Sequence, residues 1–232
     1  MLAKNLKKSF LTIGCWSILL LFVTTGYAIE QKDNTKSTEQ PLKNPVTVLK
    51  NITDSVLDNL KNRQDEIQGD IDKLYTVVYD SVVPHVDFVE ISKWVAGKKA
   101  WREASESQQS EFLKQFKLII IRTYATALNK YSDQKVDFKP LKKGQEIRKR
   151  MQISSAIWDS KNKKNISVVF RVVAAGDTWK VYDLIIEGVS LLKGFQVQFS
   201  NLIRNQGIGA AIAKMKDHNS VTLSENLIRQ LT

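Results

Sequence analysis

The sequence predicts a single α+β domain, in which a helical half precedes a four-stranded antiparallel sheet and further helices follow the sheet. Two observations carry this prediction. Apolar residues recur at helical spacing from residue 46 to residue 131, and they alternate with a period of two from residue 136 to residue 187. The chain has 232 residues, of which 43% are hydrophobic and 25% are charged, so it can bury a core and differs from disordered or collagen-like chains.

Residues 1–28 have the pattern of a secretory signal peptide. Three early lysines precede an apolar run from Phe10 to Val23, and the small residues Gly26 and Ala28 predict cleavage after Ala28. The run of 14 residues is shorter than the roughly 20 that a spanning helix needs, although an uncleaved membrane anchor is the alternative. A lipoprotein would need Cys15 at the cleavage point, but the apolar run continues past it. We therefore expect export to the periplasm.

Removal of the signal peptide on export changes both the net charge and the cysteine count of the chain. Removing the three lysines of residues 1–28 lowers the formal net charge from +11 to +8, and it also removes the single cysteine of the chain. The mature chain then has neither a disulfide nor a cysteine-based metal site. An excess of positive charge is typical of proteins that bind nucleic acid or anionic surfaces, but export argues against nucleic acid.

The helical half follows a polar segment, residues 29–45, which we expect to be a flexible lead-in. Helical spacing from Val46 to Leu60 predicts the first helix. A second helix is predicted between Asp70, a favourable N-cap residue, and Pro84. A short third helix is predicted from residue 88 to the glycine at position 97.

The clearest helix start is the segment SESQ at residues 105–108, which has the form of a capping box. Ser105 is expected to cap the helix, and Gln108 is expected to reach back to it. The helix is predicted to continue to Tyr131 with a wide apolar face of aromatic and branched side chains.

The sheet is predicted from the change of period after this helix. Its four strands are predicted at residues 136–141, 147–158, 166–175 and 178–187. Pro140 marks the first as an edge strand, and Gly176 with Asp177 predicts a hairpin between the last two. These last two strands are apolar on nearly both faces, so we expect both faces of the sheet to be covered.

Helices are predicted again after Gly188, which we expect to end the sheet. They lie at residues 189–203 and 208–215. The domain is therefore predicted at residues 46–217, and residues 218–232 are predicted to form a C-terminal tail.

No catalytic or metal-binding motif occurs in the sequence. His85 and His218 are far apart, and no glycine-rich phosphate loop, nucleophile elbow or carboxylate cluster with metal spacing is present. We expect no catalytic residue and no metal site. Tyr182, Asp183 and Glu187 come nearest to an acid–base group, but we expect hydrogen bonds of the two carboxylates to hold the strand-to-helix turn instead.

Two basic clusters lie at residues 142–150 and 161–164. We expect both at one hairpin end, either as a solvated surface or as an electropositive rim for phosphate headgroups or an acidic partner. They lack the interleaved aromatic residues of single-strand binders, so no nucleic-acid partner is expected.

The segment WKVYD at residues 179–183 runs into EGVSL at residues 187–191. These segments resemble the W-x-V/A-Y-D and E-G-V-S patterns of the MlaC family of periplasmic phospholipid shuttles, also called the toluene-tolerance auxiliary family. Supporting matches lie at residues 86–88, 95–97, 101, 104–105, 112–116, 122–124, 199 and 207–212. The resemblance covers about residues 46–217. It departs at Phe195 and Gln196, where members often carry Tyr-Arg, so no role of that arginine is transferred.

The resemblance implies a helical layer on a small curved antiparallel sheet, with an apolar lipid pocket between them. It implies a carrier without covalent chemistry, which moves phospholipid between an outer-membrane lipoprotein complex (MlaA-like) and an inner-membrane ABC transporter complex (MlaD-like) and so maintains outer-membrane lipid asymmetry. Phospholipid is then the cargo, no cofactor is needed, and a monomer is expected.

Twelve positions chosen by pattern are predicted to line the lipid pocket. They are Val78, Phe116, Ile120, Tyr124, Met151, Ile153, Phe170, Val172, Leu184, Val189, Leu192 and Phe199. Two other hypotheses stay open. One is an enzyme on a cone-shaped α+β scaffold with Tyr182 and Asp183 as acid–base residues, and the other is an interaction protein held at a membrane by an uncleaved N-terminus.

Overall fold

The computed structural model describes residues 42–130, 134–159 and 163–231. The predicted signal peptide and residues 29–41 of the lead-in lie outside that part of the chain. The helices are α1 (Pro45–Asn62), α2 (Gln64–Ile67), α3 (Ile71–Val82), α4 (Phe88–Ala96), α5 (Lys98–Glu103), α6 (Glu106–Lys130), α7 (Leu191–Thr222) and α8 (Glu225–Gln230), with a 3-10 turn at Val83–His85. The strands are β1 (Val136–Phe138), β2 (Arg150–Asp159), β3 (Lys164–Ala175), β4 (Thr178–Ile186) and β5 (Val189–Ser190).

Two of the helix starts that the sequence predicts, those of α3 and α6, are confirmed by their caps. The helix predicted from residue 189 begins instead at Leu191, because Val189 and Ser190 form β5. The Asp70 carboxylate accepts a hydrogen bond of 3.0 Å from the backbone N–H of Lys73 at the start of α3. The capping box forms at the start of α6, where the Ser105 hydroxyl accepts from the N–H of Gln108 at 3.2 Å and the Gln108 side chain accepts from the N–H of Ser105 at 3.0 Å. Each cap satisfies N–H groups that have no partner within the helix.

The five strands form one open antiparallel sheet in the linear order β1-β2-β3-β4-β5. The predicted number of four strands is therefore corrected to five. Ile186 pairs with Val189, and Glu187 and Gly188 between them both have positive φ, 49° and 82°. Two consecutive residues of positive φ are typical of the type I′ hairpin turn. Gly188 thus turns the chain within the sheet, and the sheet ends at Ser190.

One face of the sheet is apolar across its first four strands. Residues directly opposite each other in an antiparallel pair share a face. The opposed pairs on this face are Val136 with Ile157, Ile157 with Ile166, Val168 with Ile186, and Phe170 with Leu184. The register shifts between Arg171 and Val172, so a bulge interrupts the alternation between β3 and β4.

Helix α6 is the centre of the helical layer. Leu118 and Ile121 pack in a cluster with α1, α2, α3 and α8, whereas Phe112 and Phe116 pack in another cluster with α4 and α7. A third cluster joins Leu49 of α1 to side chains of the sheet. Helix α1 therefore covers part of the sheet, α4 and α7 contact β4, and the helical layer is centred on α6.

The C-terminal part of the chain belongs to this packing. Helix α7 is interrupted at Gly207, whose φ is 79°, and then runs past the predicted boundary at residue 217 to residue 222. Leu223, Leu227 and Leu231 are buried in the same cluster as α3 and α6. Residues 218–231 therefore pack on the domain, and the predicted C-terminal tail is corrected.

The described residues of the two basic clusters lie at opposite ends of the β2–β3 hairpin. Arg150 pairs with Val173 at one end of β2, and Asp159 pairs with Lys164 at the other. The expectation of a single basic hairpin end is therefore wrong, because the strand between the clusters is ten residues long. In the part of the chain that the structure describes, no helix combines the length and the apolar composition needed to cross a membrane.

Candidate functional site

A cavity of about 420 Å³ lies between the sheet and the helices. Its lining residues come from α1, α3, α4, α6, α7 and strands β1 to β4, and each of the three apolar clusters contributes some of them. The volume is within the ~300–1,000 Å³ that is typical of small-molecule sites. The cavity is therefore our candidate functional site.

The sheet lines the cavity with a row of aliphatic and aromatic side chains. They are Val136, Ile157, Ile166, Val168, Phe170, Leu184 and Ile186. All lie on the face that the strand register defines as common. Phe170 and Leu184 are only half-buried although they lie on central strands, because the cavity leaves part of each side chain uncovered.

The helices line the cavity at intervals of four residues. Ile120, Tyr124 and Leu128 follow one another along α6, and Val78 and Val82 do so on α3. Side chains at i and i+4 lie above one another on one helix face, so each helix presents a continuous apolar stripe to the cavity.

Few polar groups reach this lining. The side chains that carry them are Thr53, His85, Tyr124, Tyr182 and Asp183. Burial raises the pKa of the Tyr124 phenol, and burial together with the positive charge of Lys180 lowers the pKa of His85 below its usual 6.5. Both groups are therefore uncharged at neutral pH, which suits an apolar occupant.

Asp183, the carboxylate of the lining, is bound by groups of the protein itself. Its side chain is fully buried. One oxygen accepts hydrogen bonds from the Ser190 hydroxyl at 2.7 Å and from Arg171 at 3.4 Å, and the other accepts from the backbone N–H of Leu192 at 2.9 Å. Glu187 accepts from the N–H of Ser167. The bonds of Asp183 to Ser190 and Leu192 confirm the role that the sequence predicts for it at the turn. The Glu187 carboxylate bonds to β3 instead.

Two guanidinium groups lie close to the ring of Tyr182. Arg150 and Arg171 stand 5.0 Å and 5.6 Å from the centre of its ring, and Arg150 also forms an ion pair of 2.6 Å with Glu90 of α4. Cation–π contacts of this length stabilise the ring position. The two residues of the acid–base hypothesis thus both have structural contacts. No group of three metal-binding side chains occurs within the described ranges.

Half of the twelve predicted pocket residues line the cavity. These are Val78, Ile120, Tyr124, Phe170, Leu184 and Leu192. Phe116 and Phe199 do not, because they are packed edge to face, with ring centres 6.4 Å apart, inside the cluster of α4, α6 and α7.

The other four predicted residues lie on or near the sheet but outside the cavity. Met151, Ile153 and Val172 are buried in the cluster that Leu49 of α1 covers. Val189 is 66% exposed on the edge strand β5. The structure thus separates these four positions from the cavity lining.

Several lining residues are not among the twelve that the sequence predicts. Ile157, Ile166 and Ile186 share the strand parity of predicted residues, so an extension of the period-two pattern would have found them. Ile52 and Val56 of α1 also line the cavity, but their helical spacing is the same as that of plain core residues. No sequence signal separates residues that line a cavity from residues of the core.

Comparison with known proteins identifies relatives of similar sequence. The chain is 26% identical over 210 residues to the intermembrane phospholipid transport system binding protein MlaC of Haemophilus influenzae, covering 88% of this chain and 93% of that protein. It is 26% identical over 163 residues to the toluene tolerance protein ttg2D of Pseudomonas putida, covering 70% and 74%.

A solved structure has the same fold. The phospholipid-binding protein of Ralstonia solanacearum, determined in complex with a phospholipid, superposes with a TM-score of 0.69 at 27% identity, covering 77% of this chain and 98% of that one. The family model described as MlaC protein matches residues 50–217, a range that contains every helix and strand from α2 to β5. The chain therefore belongs to the MlaC family.

Proposed function

We propose that this protein is a periplasmic carrier that holds phospholipid by its acyl chains in the cavity and makes or breaks no covalent bond. The observation that carries the proposal is the apolar cavity between sheet and helices, whose few polar side chains are neutral or already hydrogen-bonded. The phospholipid transport system to which the Haemophilus relative belongs and the lipid complex of the Ralstonia protein support the same cargo.

The physical need for such a carrier follows from the hydrophobic effect. At about 0.8 kcal/mol per buried CH₂, exposing two chains of roughly 15 methylenes to water costs on the order of 20 kcal/mol. Phospholipid therefore crosses an aqueous gap very slowly unless a protein replaces its contacts with the bilayer. Val78, Ile120, Tyr124, Phe170, Leu184 and Leu192 supply such contacts here.

Transport by this carrier is passive exchange. The acyl chains enter the cavity, the headgroup stays near its rim, and the monomer delivers its cargo by docking to an outer-membrane lipoprotein complex (MlaA-like) or an inner-membrane ABC transporter complex (MlaD-like). Cleavage of residues 1–28 places it in the periplasm, which N-terminal sequencing of the exported protein tests. The transport function of the Haemophilus relative supports this assignment.

Native mass spectrometry tests the cargo directly. The protein is expressed with its full N-terminus, purified from the periplasm without detergent, and sprayed under conditions that preserve non-covalent complexes. We expect a population whose added mass equals one or more phospholipids, and extraction with organic solvent should return the same lipids. Protein that is uniformly free of phospholipid would contradict the proposal.

A further inference from the structure

A second concavity, of about 620 Å³, lies along α7, and we call it the α7 groove. One side is formed by α7 from Gln196 to Ile208 and the other by the corner between α4 and α5 together with Gln108 of α6. None of the residues that line it lines the apolar cavity. The α7 groove is therefore a separate surface feature with its own chemistry.

The floor of the α7 groove is apolar, and its small side chains allow another chain to approach closely. Small side chains line the corner between the helices at Ala96, Ala100 and Ala104, and larger aliphatic side chains are supplied by Ile203 and Ile208. Small residues allow another backbone to come near, as in grooves that receive a helix. The helical stretch from Gln196 to Gln206, which ends at the interruption at Gly207, is about 15 Å long at 1.5 Å per residue.

The rim of the α7 groove is basic. Lys98, Lys99 and Arg204 line it, and they face one acidic lining residue, Glu103. All three cations are exposed, and neither Lys98 nor Lys99 has an ion-pair partner among the residues described. The α7 groove therefore combines an apolar floor with an excess of two positive charges.

We propose that the α7 groove is a docking site for an acidic amphipathic segment of a partner protein, with the apolar side of the segment on Ile203 and Ile208 and its carboxylates beside Lys98, Lys99 and Arg204. A second copy of this chain fits less well, because the exported chain itself carries a net charge of +8. A bilayer fits less well because the feature is concave, whereas a bilayer surface is flat.

The site also has a structural link to the cavity. Ile91 of α4 lines the cavity and Val95, one turn further on, lines the α7 groove. On α7, Phe195 lines the cavity and its neighbour Gln196 lines the α7 groove. A docked segment thus contacts two helices that also enclose the cavity. The docking proposal itself does not depend on what the cavity holds.

The test uses the full exported protein and a fluorescein-labelled synthetic peptide of about 14 residues, long enough to span the groove as a helix. Its sequence places Leu at helical i, i+3, i+4 spacing and Glu elsewhere, and a counterpart has Lys in place of Glu. We expect saturable binding of the acidic peptide below about 1 mM at low salt, weakening as salt is added, and at least tenfold weaker binding of the basic peptide. Amide shifts in ¹⁵N spectra should map to residues 95–104 and 196–208.

Charge reversal separates this site from general attraction to a basic protein. The variant K98E/K99E should bind the acidic peptide at least tenfold more weakly, whereas the matched variant K163E/K164E, at the far end of the sheet, should bind it like the original. All four lysines are exposed, so both variants are expected to fold, which circular dichroism checks.

Several results would overturn the proposal. They are absence of saturable binding, equal loss in both charge-reversed variants, or amide shifts that map to the cavity. The proposal also fails if the acidic peptide does not bind and the occupant is different. A bilayer would be the occupant if K98E/K99E abolished binding to vesicles of phosphatidylglycerol. A second copy of the chain would be the occupant if K98E/K99E abolished a dimer seen by sedimentation. Each of these leaves the lipid content of the purified protein, and so the carrier proposal, untouched.

Discussion

The carboxylate of Asp183 lies 2.9 Å from the backbone nitrogen of Leu192 and accepts its hydrogen bond across nine residues of chain. The same side chain accepts from the Ser190 hydroxyl at 2.7 Å. Ser190 in turn caps α7 by accepting from the N–H of Lys193. Because Leu192 lines the cavity, this chain of hydrogen bonds fixes one part of the cavity lining to the end of β4.

Replacing Asp183 by Ala should destabilise the protein strongly. The change leaves the buried N–H of Leu192 and the Ser190 hydroxyl without this acceptor, and it leaves Arg171 without its carboxylate. A loss of about 2–4 kcal/mol in the free energy of unfolding is expected, measured by urea denaturation.

The matched control is Asp177→Ala. Asp177 forms an ion pair of 2.8 Å with Lys43, but its side chain is 73% exposed. Exposed pairs contribute little, so we expect the free energy of unfolding to change by less than about 1 kcal/mol. Similar losses for the two variants would show that the hydrogen bonds of Asp183 do not stabilise the fold as argued.

Substitution of Phe170 by Glu should remove the cargo. Phe170 lines the cavity at the centre of the sheet, where a carboxylate has no partner and excludes acyl chains. The phospholipid retained per chain, measured by native mass spectrometry, is expected to fall at least roughly fivefold. Circular dichroism checks that the variant folds.

Val189→Glu is the control for this prediction. Pattern alone puts Val189 in the pocket, but the structure leaves it 66% exposed on β5 and outside the cavity lining. Retention of phospholipid should therefore equal that of the original protein. If Val189→Glu loses cargo and Phe170→Glu keeps it, the cavity described here is not the lipid site.

The starts of α3 and α6 were predictable from the sequence because their signals are local. Asp70 and the capping box at residues 105–108 act on N–H groups within three residues, so the chain nearby determines the outcome. The strand hairpin at Gly176 was predictable for the same reason, since Ala175 and Thr178 pair across it.

The fifth strand and the exact lining of the cavity depend on contacts distant in sequence. The sequence Glu187-Gly188 is compatible both with the end of a sheet and with a type I′ turn inside it. The turn is identified only by the pairing of Val189 with Ile186. Ile153 and Phe170 are directly opposed on one face, yet Ile153 is buried and Phe170 lines the cavity. Strand parity determines the face of a residue, whereas the helix lying above determines whether space remains there.

Two glycine substitutions should have opposite effects on stability. Gly188→Ala places a side chain at a φ of 82°, and because the added Cβ meets nothing within 4 Å, the loss is due to backbone strain alone. We expect about 1–2 kcal/mol of destabilisation in urea denaturation. Gly194→Ala, in α7, also meets nothing within 4 Å and should stabilise by about 0.5–1 kcal/mol. Equal effects of the two changes would rule out a positive-φ requirement at position 188.

Protonation of His85 should make the folded protein less stable at acidic pH. Burial and the nearby Lys180 lower the pKa of His85 below 6.5 in the folded state, so over the range between that pKa and 6.5 the unfolded chain binds a proton that the folded chain does not. The free energy of unfolding therefore falls as the pH drops below about 6.5 and stops falling once the pH is below the folded pKa.

The variant His85→Asn should flatten this dependence between about pH 7 and pH 5, measured by urea denaturation at each pH. Burial and the charges of Arg122 and Lys214 also lower the pKa of His218, so His218→Asn is made in parallel and the double variant should have the flattest profile. The carboxylates of Glu90 and Glu111 have pKa values below 4.5 because of their ion pairs and hydrogen bonds, despite burial that opposes this, and so they titrate outside this range. An unchanged slope in His85→Asn would mean that His85 does not keep a lowered pKa at the edge of the cavity.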